Sequence, residues 1–371
     1  MVNEHQESNI IKPRLTVVAW EITRKCNLFC AHCRASSHSG DFPGELSKEK
    51  CFEIIDQIAG VAKPILILSG GEPLLRPDVF EIGRYAYAKG LRAVMGTNGT
   101  LITLEIAAKI KAVPMPRISV SLDFPTAEAQ DKFRGHAGAF EAAIRGIANA
   151  RAAGVEVQIN STISKLNVGY LSDLIQLALK VGAVAFHPFM LVPTGRGKEL
   201  AEKELSPAEY ESTLKWICQK QVELGDRLMF KPTDAPHYYR IAKQSGMDVM
   251  GGDGHSQAGG HPGGQQGMNA MTRGCMAGVG YCFISHVGKV QGCGYLDIEA
   301  GDLTKQSFAD VWENSRLFNE LRDLSNLKGK CGRCEFKRLC GGCRARSYET
   351  TGDHLAAEPY CIYQPAGSKP T

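Results

Sequence analysis

Two periods of hydrophobic spacing alternate along this chain. Short apolar runs are followed by longer segments whose apolar residues fall at helical spacing. Residues 15–20 predict a first strand. Ser47 can cap a helix on which Cys51, Ile54, Ile55 and Ile58 share a face, with Gly60 to end it. Residues 64–68 predict a buried strand that runs into Ser69-Gly70-Gly71-Glu72-Pro73. The alternation then continues. Helices are expected over 79–89, 104–111, 140–153 and 171–180, and strands over 91–95, 118–122, 155–163 and 184–189. A last helix over 207–224 carries Leu214, Ile217 and Cys218 on neighbouring turns, so Cys218, like Cys51, has a packing explanation.

Repeated strand-then-helix units imply parallel strands with right-handed crossovers. An open doubly wound sheet and a barrel both fit. Residues 118–123 and 155–160 alternate apolar and polar strictly. A parallel strand covered on both faces is nearly all apolar, so one face of these strands meets something polar. That favours an α/β barrel with an occupied lumen. The loops after the strands hold a cysteine run, the Gly70–Pro73 turn and Asn98, which places them at the barrel's C-terminal mouth. From residue 231 the texture changes. We divide the chain into a polar tail (1–14), the α/β core (15–230), a bridging segment (231–270), a cysteine-rich block (271–364) and a short tail (365–371). Residues 251–267, with His255 and His261, are Gly-rich and read as a mobile loop.

The 371 residues suffice for a large core and two domains. A net charge of +4 does not argue for nucleic acid, and it suits an anionic small substrate. No apolar run approaches the ~18 residues of a membrane span, and the N-terminal residues show no signal-peptide core. Thirteen cysteines without an export signal point to a reducing cytoplasm and metal ligation, not disulfides.

Cys26, Cys30 and Cys33 are separated by three and then two residues. Three thiolates can hold three irons of a cubane [4Fe-4S] cluster, leaving the fourth iron open to a small molecule. Zinc is the alternative, with His32 as a fourth ligand, though structural zinc prefers paired CxxC units. Eight further cysteines follow residue 270: Cys275, Cys282, Cys293, Cys331, Cys334, Cys340, Cys343 and Cys361. Their two CxxC pairs fit either a zinc ribbon or further clusters. With the first three they account for eleven of thirteen, and the two left over are the two packing cysteines.

The CxxxCxxC run followed by Gly70-Gly71-Glu72-Pro73 resembles the radical S-adenosylmethionine (SAM) enzymes. Cys331-x2-Cys334-x5-Cys340-x2-Cys343 with Cys361 resembles their SPASM extension, apart from its last spacing. The resemblance implies a partial (β/α)6 barrel with a C-terminal SPASM iron–sulfur domain. It implies a [4Fe-4S] cluster on Cys26, Cys30, Cys33 and SAM, and one or two auxiliary [4Fe-4S] clusters. Carried over, Cys275, Cys282, Cys293 and Cys343 would hold one, and Cys331, Cys334, Cys340 and Cys361 the other. If Cys282 is instead a core residue, the first is left a ligand short. Gly70 and Gly71 would let backbone approach the methionine part of SAM, and Glu72 would accept from its ammonium. Asn98, Ser119, Ser121, Asp123 and Asn160 would line the lumen for its ribose and carboxylate, or be ordinary polar lining.

Within that family the chain looks most like the haem b synthases of the sirohaem-dependent pathway. The likeness rests on residues 19–26, 33–35, 191–198, 235–240 and 271–275. It implies an iron-tetrapyrrole substrate, iron-coproporphyrin III, with two propionates oxidatively decarboxylated to vinyl groups. It also implies a low-potential, flavodoxin- or ferredoxin-like electron donor. His237, Arg240 and Arg273 are expected at the substrate, His237 on its iron or a carboxylate. Arg196 and Lys198 are further cations available for propionates. Two rivals remain. One is another radical SAM/SPASM reaction, on a peptide or a sirohaem derivative. About fourteen residues precede the first strand, too few for the leader-binding domain of peptide-modifying relatives. The other rival is a zinc-binding interaction protein.

Overall fold

A computed structural model describes residues 9–247 and 273–366. The Gly/His-rich loop expected over 251–267 lies outside the described residues. Ten strands form one sheet. They are β1 (Val17–Thr23), β2 (Ile65–Gly70), β3 (Arg92–Thr97), β4 (Arg117–Ser121), β5 (Glu156–Ile163), β6 (Ala185–Met190), β7 (Met229–Phe230), β8 (Tyr281–Ile284), β9 (Lys289–Gln291) and β10 (Glu299–Asp302). Their order is β10-β9-β8-β1-β2-β3-β4-β5-β6-β7. From β8 through β7 all neighbours are parallel, and only the pairs β8–β9 and β9–β10 are antiparallel. This is the expected partial (β/α)6 barrel, extended at both edges.

The helices that cross between strands are α1 (Lys48–Val61), α2 (Val79–Ala88), α3 (Leu104–Ala112), α4 (Ala127–Arg134), α5 (Ala139–Ala152), α6 (Leu171–Lys180) and α7 (Pro207–Leu224). α8 (His237–Gln244) follows β7. Ser47 caps α1 as expected, accepting from the Lys50 amide, and Cys51, Ile54, Ile55 and Ile58 are fully buried beneath it. Each such isoleucine is worth about 2 kcal/mol of burial. α1 passes Gly60 by one residue, because packing rather than the glycine decides its end. α4 is the one barrel helix among the described residues that periodicity missed. Its buried face is Gln130, Phe133 and Arg134, two of them polar, so no apolar stripe marks it.

The alternation along the strands has the expected cause. In β5, Val157, Ile159 and Ser161 are buried under helices, while Gln158, Asn160 and Thr162 are half-exposed on the other face. β2 and β4 repeat that pattern, and registry aligns Ser119 with Gln158 and Ser121 with Asn160. A polar lumen therefore runs along the inner face.

β8 is an addition that local spacing could not show. It lies parallel to β1, with Cys282 opposite Val18, so the sheet carries past residue 230 into the cysteine-rich block. A buried ion cluster reinforces this join. Arg34 donates to Glu21 Oε2 at 2.5 Å, and His286 Nδ1 lies 3.0 Å from Glu21 Oε1. Burial alone would raise the Glu21 carboxyl, but Arg34, His286 and Arg24 outweigh it and hold it at about 2. A carboxyl held below its unfolded value stabilises the fold above that unfolded value, and the contribution is lost as pH falls toward 2. Unfolding free energy measured from pH 6 to pH 2 should therefore decline, and Glu21→Gln should flatten the decline. Loss of one partner of this buried cluster should cost about 3 kcal/mol at neutral pH.

Candidate active site

The cysteine loop leaves β1 at the barrel mouth. Cys26 and Cys30 are buried and Cys33 is half-buried. The three thiols lie close enough that Cys26 feels the charge of both others. Burial is the largest influence and pushes the Cys26 thiol up to about 12. Such thiols ionise only if a metal takes up the charge. Hydrogen-bond donors surround the sulfurs. The Leu28 amide is 3.4 Å from Cys26 Sγ and the Ser37 amide 3.3 Å from Cys33 Sγ. Asn98 Nδ2 lies 3.9 Å from Cys26 Sγ, and Arg134 Nη1 lies 3.7 Å from Cys30 Sγ. Donors aimed at sulfur suit thiolates that carry cluster charge. His32, the fourth ligand in the zinc alternative, instead stacks on Phe133 with ring centres 4.5 Å apart. The charges that bear on it are Asp123, Arg134 and Arg196, not the cysteines.

The glycine turn has a local structural role that the sequence did not show. A Cβ on Gly70 would collide with the Thr23 carbonyl, and one on Gly71 with the carbonyls of Arg24 and Lys25. What the missing side chains admit is the cysteine loop itself. The Gly71 amide donates to Thr23 O and the Glu72 amide to Lys25 O, both at 2.8 Å. Glu72 is anchored in the same corner. Its carboxylate is fully buried and accepts from Thr97 Oγ1 (2.8 Å), the Asn98 amide (2.8 Å) and the Leu74 amide (3.1 Å). Those protein donors fix its orientation at the end of β2. Burial raises it to about 7 despite those donors. Pro73 begins the short 3-10 turn Pro73–Leu75 that ends this corner.

Asp123, expected in the lumen, is turned away from it. It is fully buried, accepts from the Thr162 amide at 2.7 Å and is ion-paired with Arg134. It thereby holds the arginine that touches Cys30. Ser119, Ser121 and Asn160 are half-exposed on the lumen face, with Asn160 Oδ1 accepting from Gln158 at 2.7 Å.

The second cysteine block forms two groupings. Cys331, Cys334, Cys340 and Cys361 line one pocket, together with His237, Arg240 and Lys330. Cys293 feels the charges of Asp234, Cys343 and Cys275. Cys282 is corrected. It is fully buried on β8, and the charge bearing on it is that of Arg322. Its neighbour Tyr281, on the opposite face of the strand, is the residue that meets Cys293 and Asp234. Strand alternation turns Cys282 into the core. Among the described residues no three His, Cys, Asp or Glu side chains gather tightly enough for a single metal ion. A cubane, larger than an ion, does not require that convergence.

The cations expected on propionates are mostly committed elsewhere. Arg240 is buried in an ion pair with Glu211 and also donates to Gln244 at 2.8 Å. Arg196 braces the first loop, donating to Cys30 O at 2.9 Å and Ser37 O at 2.8 Å. Lys198 lies 3.7 Å from Glu349. Arg273 donates to Lys337 O at 3.2 Å, beside Cys275 and Cys340. His237 is buried, with its ring 5.0 Å from that of Tyr210 and both ring nitrogens unpartnered. It faces the four-cysteine pocket. Sequence reasoning missed Glu21, Arg34 and Arg134. Nothing local marks them, because each acts through a partner distant in the chain.

Two cysteine centres on a parallel α/β barrel define an iron–sulfur enzyme class. Residues 20–178 match the Radical SAM superfamily, and residues 275–343 match SPASM, an iron–sulfur cluster-binding domain. The chain belongs to the radical SAM superfamily and carries its SPASM domain. It is 50% identical, over 95% of its length and 97% of the relative's, to a Methanosarcina barkeri protein named AdoMet-dependent heme synthase. A protein of the same name from Nitratidesulfovibrio vulgaris is 45% identical over 96% of this chain and 95% of its own. The crystal structure of Streptococcus suis SuiB bound to S-adenosylmethionine superposes with a TM-score of 0.72, covering 96% of this chain and 79% of that one. At 17% identity that likeness shows the fold. The two matched domains imply SAM binding and [4Fe-4S] clusters.

Cys30→Ala is expected to abolish reductive SAM cleavage, followed as 5′-deoxyadenosine; an unchanged rate would remove the first cluster from this loop. Cys282→Ala should leave iron and acid-labile sulfide per chain unchanged. A loss equal to one cluster would restore it as a ligand.

Proposed function

We propose that this protein makes haem b by radical SAM chemistry, converting two propionates of iron-coproporphyrin III to vinyl groups. One observation carries the reading: half of all aligned positions, across nearly the whole chain, are shared with a protein named for haem synthesis. The barrel mouth and the two further cysteine groupings provide the parts such a reaction needs. When bound, SAM and its cluster supply the adenosyl radical that removes a hydrogen atom. Each propionate also gives up CO2 and one further electron to become a vinyl group.

The chain's own residues then have separable roles. Cys26, Cys30 and Cys33 would hold the cluster, and Arg134 and the Leu28 and Ser37 amides would offset the charge on its thiolates. Ser119, Ser121 and Asn160 remain the lumen groups for SAM, while the Asn98 side chain is taken up by Asn27, Thr100 and Cys26. The block 271–364 would hold the auxiliary clusters and receive the substrate's electron. A low-potential flavodoxin- or ferredoxin-like protein would deliver the reducing electron. Among the described residues no helix is long and apolar enough to cross a membrane. A reducing cytoplasm suits the unpaired thiols.

The test is an anaerobic assay with SAM, a reductant and iron-coproporphyrin III, read by mass. Stepwise loss of two CO2, each with two hydrogens, is expected; an unchanged tetrapyrrole beside intact SAM cleavage would move the reading to another substrate. Cys334→Ala should still cleave SAM while vinyl formation falls at least tenfold. Full-rate vinyl formation would show that the pocket of Cys331, Cys334, Cys340 and Cys361 does not receive the electron.

A further inference from the structure

The cations expected on propionates are mostly committed elsewhere, yet the barrel lumen holds another. Strand register locates it. Asn160 on β5 pairs with His187 on β6. Phe186 on β6 pairs with Phe230 on β7, and Phe189 forms an isolated bridge with Thr233. Between those two pairs the Lys231 amide donates to Phe186 O at 3.2 Å. His187 and Lys231 are therefore neighbours on adjacent strands. Phe186 and Phe230 are buried on the helix side, with ring centres 6.0 Å apart. Strand alternation turns His187 and Lys231 to the opposite face, the lumen face that Gln158 and Asn160 share.

Neither side chain finds its partner within the protein. His187 is only 9% exposed, and its Nε2 has no hydrogen-bond partner. Burial, then the charges of Lys231 and Arg117, push it well below its usual value, so the ring is neutral. Lys231 is half-buried. Burial alone pushes its ammonium down, and among the described residues no carboxylate stands near enough to hold it up. Arg117 on β4 is paired with Glu156 at 2.7 Å, while its buried Nη1 is also unpartnered. This side of the lumen is thus rich in donors, and its one nearby carboxylate is already taken. Buried donors left unpaired are costly, an ammonium most of all. Lys231 brings three donors and the neutral imidazole one. The partner they lack is an acceptor with negative charge and two adjacent oxygens, and a carboxylate has both. β6 and β7 close the end of the sheet remote from β1, whose loop carries Cys26, Cys30 and Cys33. The methionine part of SAM belongs at that loop, so the carboxylate here is the substrate's.

We infer that His187 and Lys231 form a carboxylate subsite in the barrel lumen that takes a propionate of the tetrapyrrole substrate. The inference rests on the haem-synthesis reading and adds to it the residues that anchor the substrate. A propionate is a flexible arm, and one ion pair supported by a second hydrogen bond fixes its direction. The macrocycle is thereby held at the barrel mouth, where the radical is generated.

The experiment titrates the reconstituted full-length protein anaerobically with iron-coproporphyrin III and reads Kd from the Soret band. Lys231→Met, which keeps the length of the side chain and removes its charge, should weaken binding roughly tenfold or more. Lys231→Arg should recover most of that loss, and His187→Phe should weaken binding as well. The fully esterified iron porphyrin has no carboxylate to lose, so it should bind the native protein and Lys231→Met alike. An equal loss of the ester by Lys231→Met would mark a packing role and overturn the assignment. A loss of SAM affinity in place of porphyrin affinity would give the site to the SAM carboxylate and overturn it too. If Lys231→Met binds iron-coproporphyrin III as tightly as the native protein, the subsite is refuted while the haem-synthesis reading stands. If the native protein binds no iron-coproporphyrin III, that reading fails first, and the subsite with it.

Discussion

The backbone of the cysteine loop lies directly against the end of β2, and the rest of the site depends on that contact. Gly70 and Gly71 have no Cβ where the carbonyls of Thr23, Arg24 and Lys25 pass. The amides of Gly71 and Glu72 then donate to those same carbonyls. The loop that carries these three cysteines has little regular structure of its own. Here it borrows the rigidity of a parallel strand, which orients Cys26, Cys30 and Cys33 before any cluster arrives.

Buried carboxylates form a second tier of support. Glu72 ties the end of β2 to Thr97 and Asn98 at the end of β3. Asp123 at the end of β4 takes the Thr162 amide of β5 and pairs with Arg134 beside Cys30. Glu21 at the end of β1 takes Arg34 and His286. Each of the three sits at a strand end and satisfies donors from another element. In low dielectric these charged hydrogen bonds are strong, and leaving one partner unpaired is costly. The mouth of the barrel is thus held by polar contacts, whereas its flanks are held by apolar burial.

The two cysteine regions are mechanically one unit. β8 lies beside β1, so the strand that leads to the cysteine loop also pairs with the second block. Arg34, next to Cys33, donates to Gly294 O at 3.3 Å, next to Cys293, and stacks over Phe283 at 4.5 Å. This strand pairing and this arginine fix the separation between the barrel mouth and the second block.

The parallel barrel was legible in the chain itself, because strand and helix periods alternate and the inner face of 118–123 and 155–160 is polar. The cysteine spacing and the glycine turn were legible too, since both are local patterns. The two packing cysteines, Cys51 and Cys218, were placed correctly by helical spacing alone. The direction of each polar group was not legible. Glu72 and Asp123 sit beside the lumen in the chain order, yet their carboxylates turn to amides and to an arginine that the sequence does not pair with them. Cys282 matches a ligand spacing, but one step of strand alternation sends it into the core and brings Tyr281 to the cysteines instead. Spacing along the chain determines which residues can share a face. Which face meets the site is decided only when distant elements pack, because burial, pairing and charge are satisfied across the fold and not along the chain.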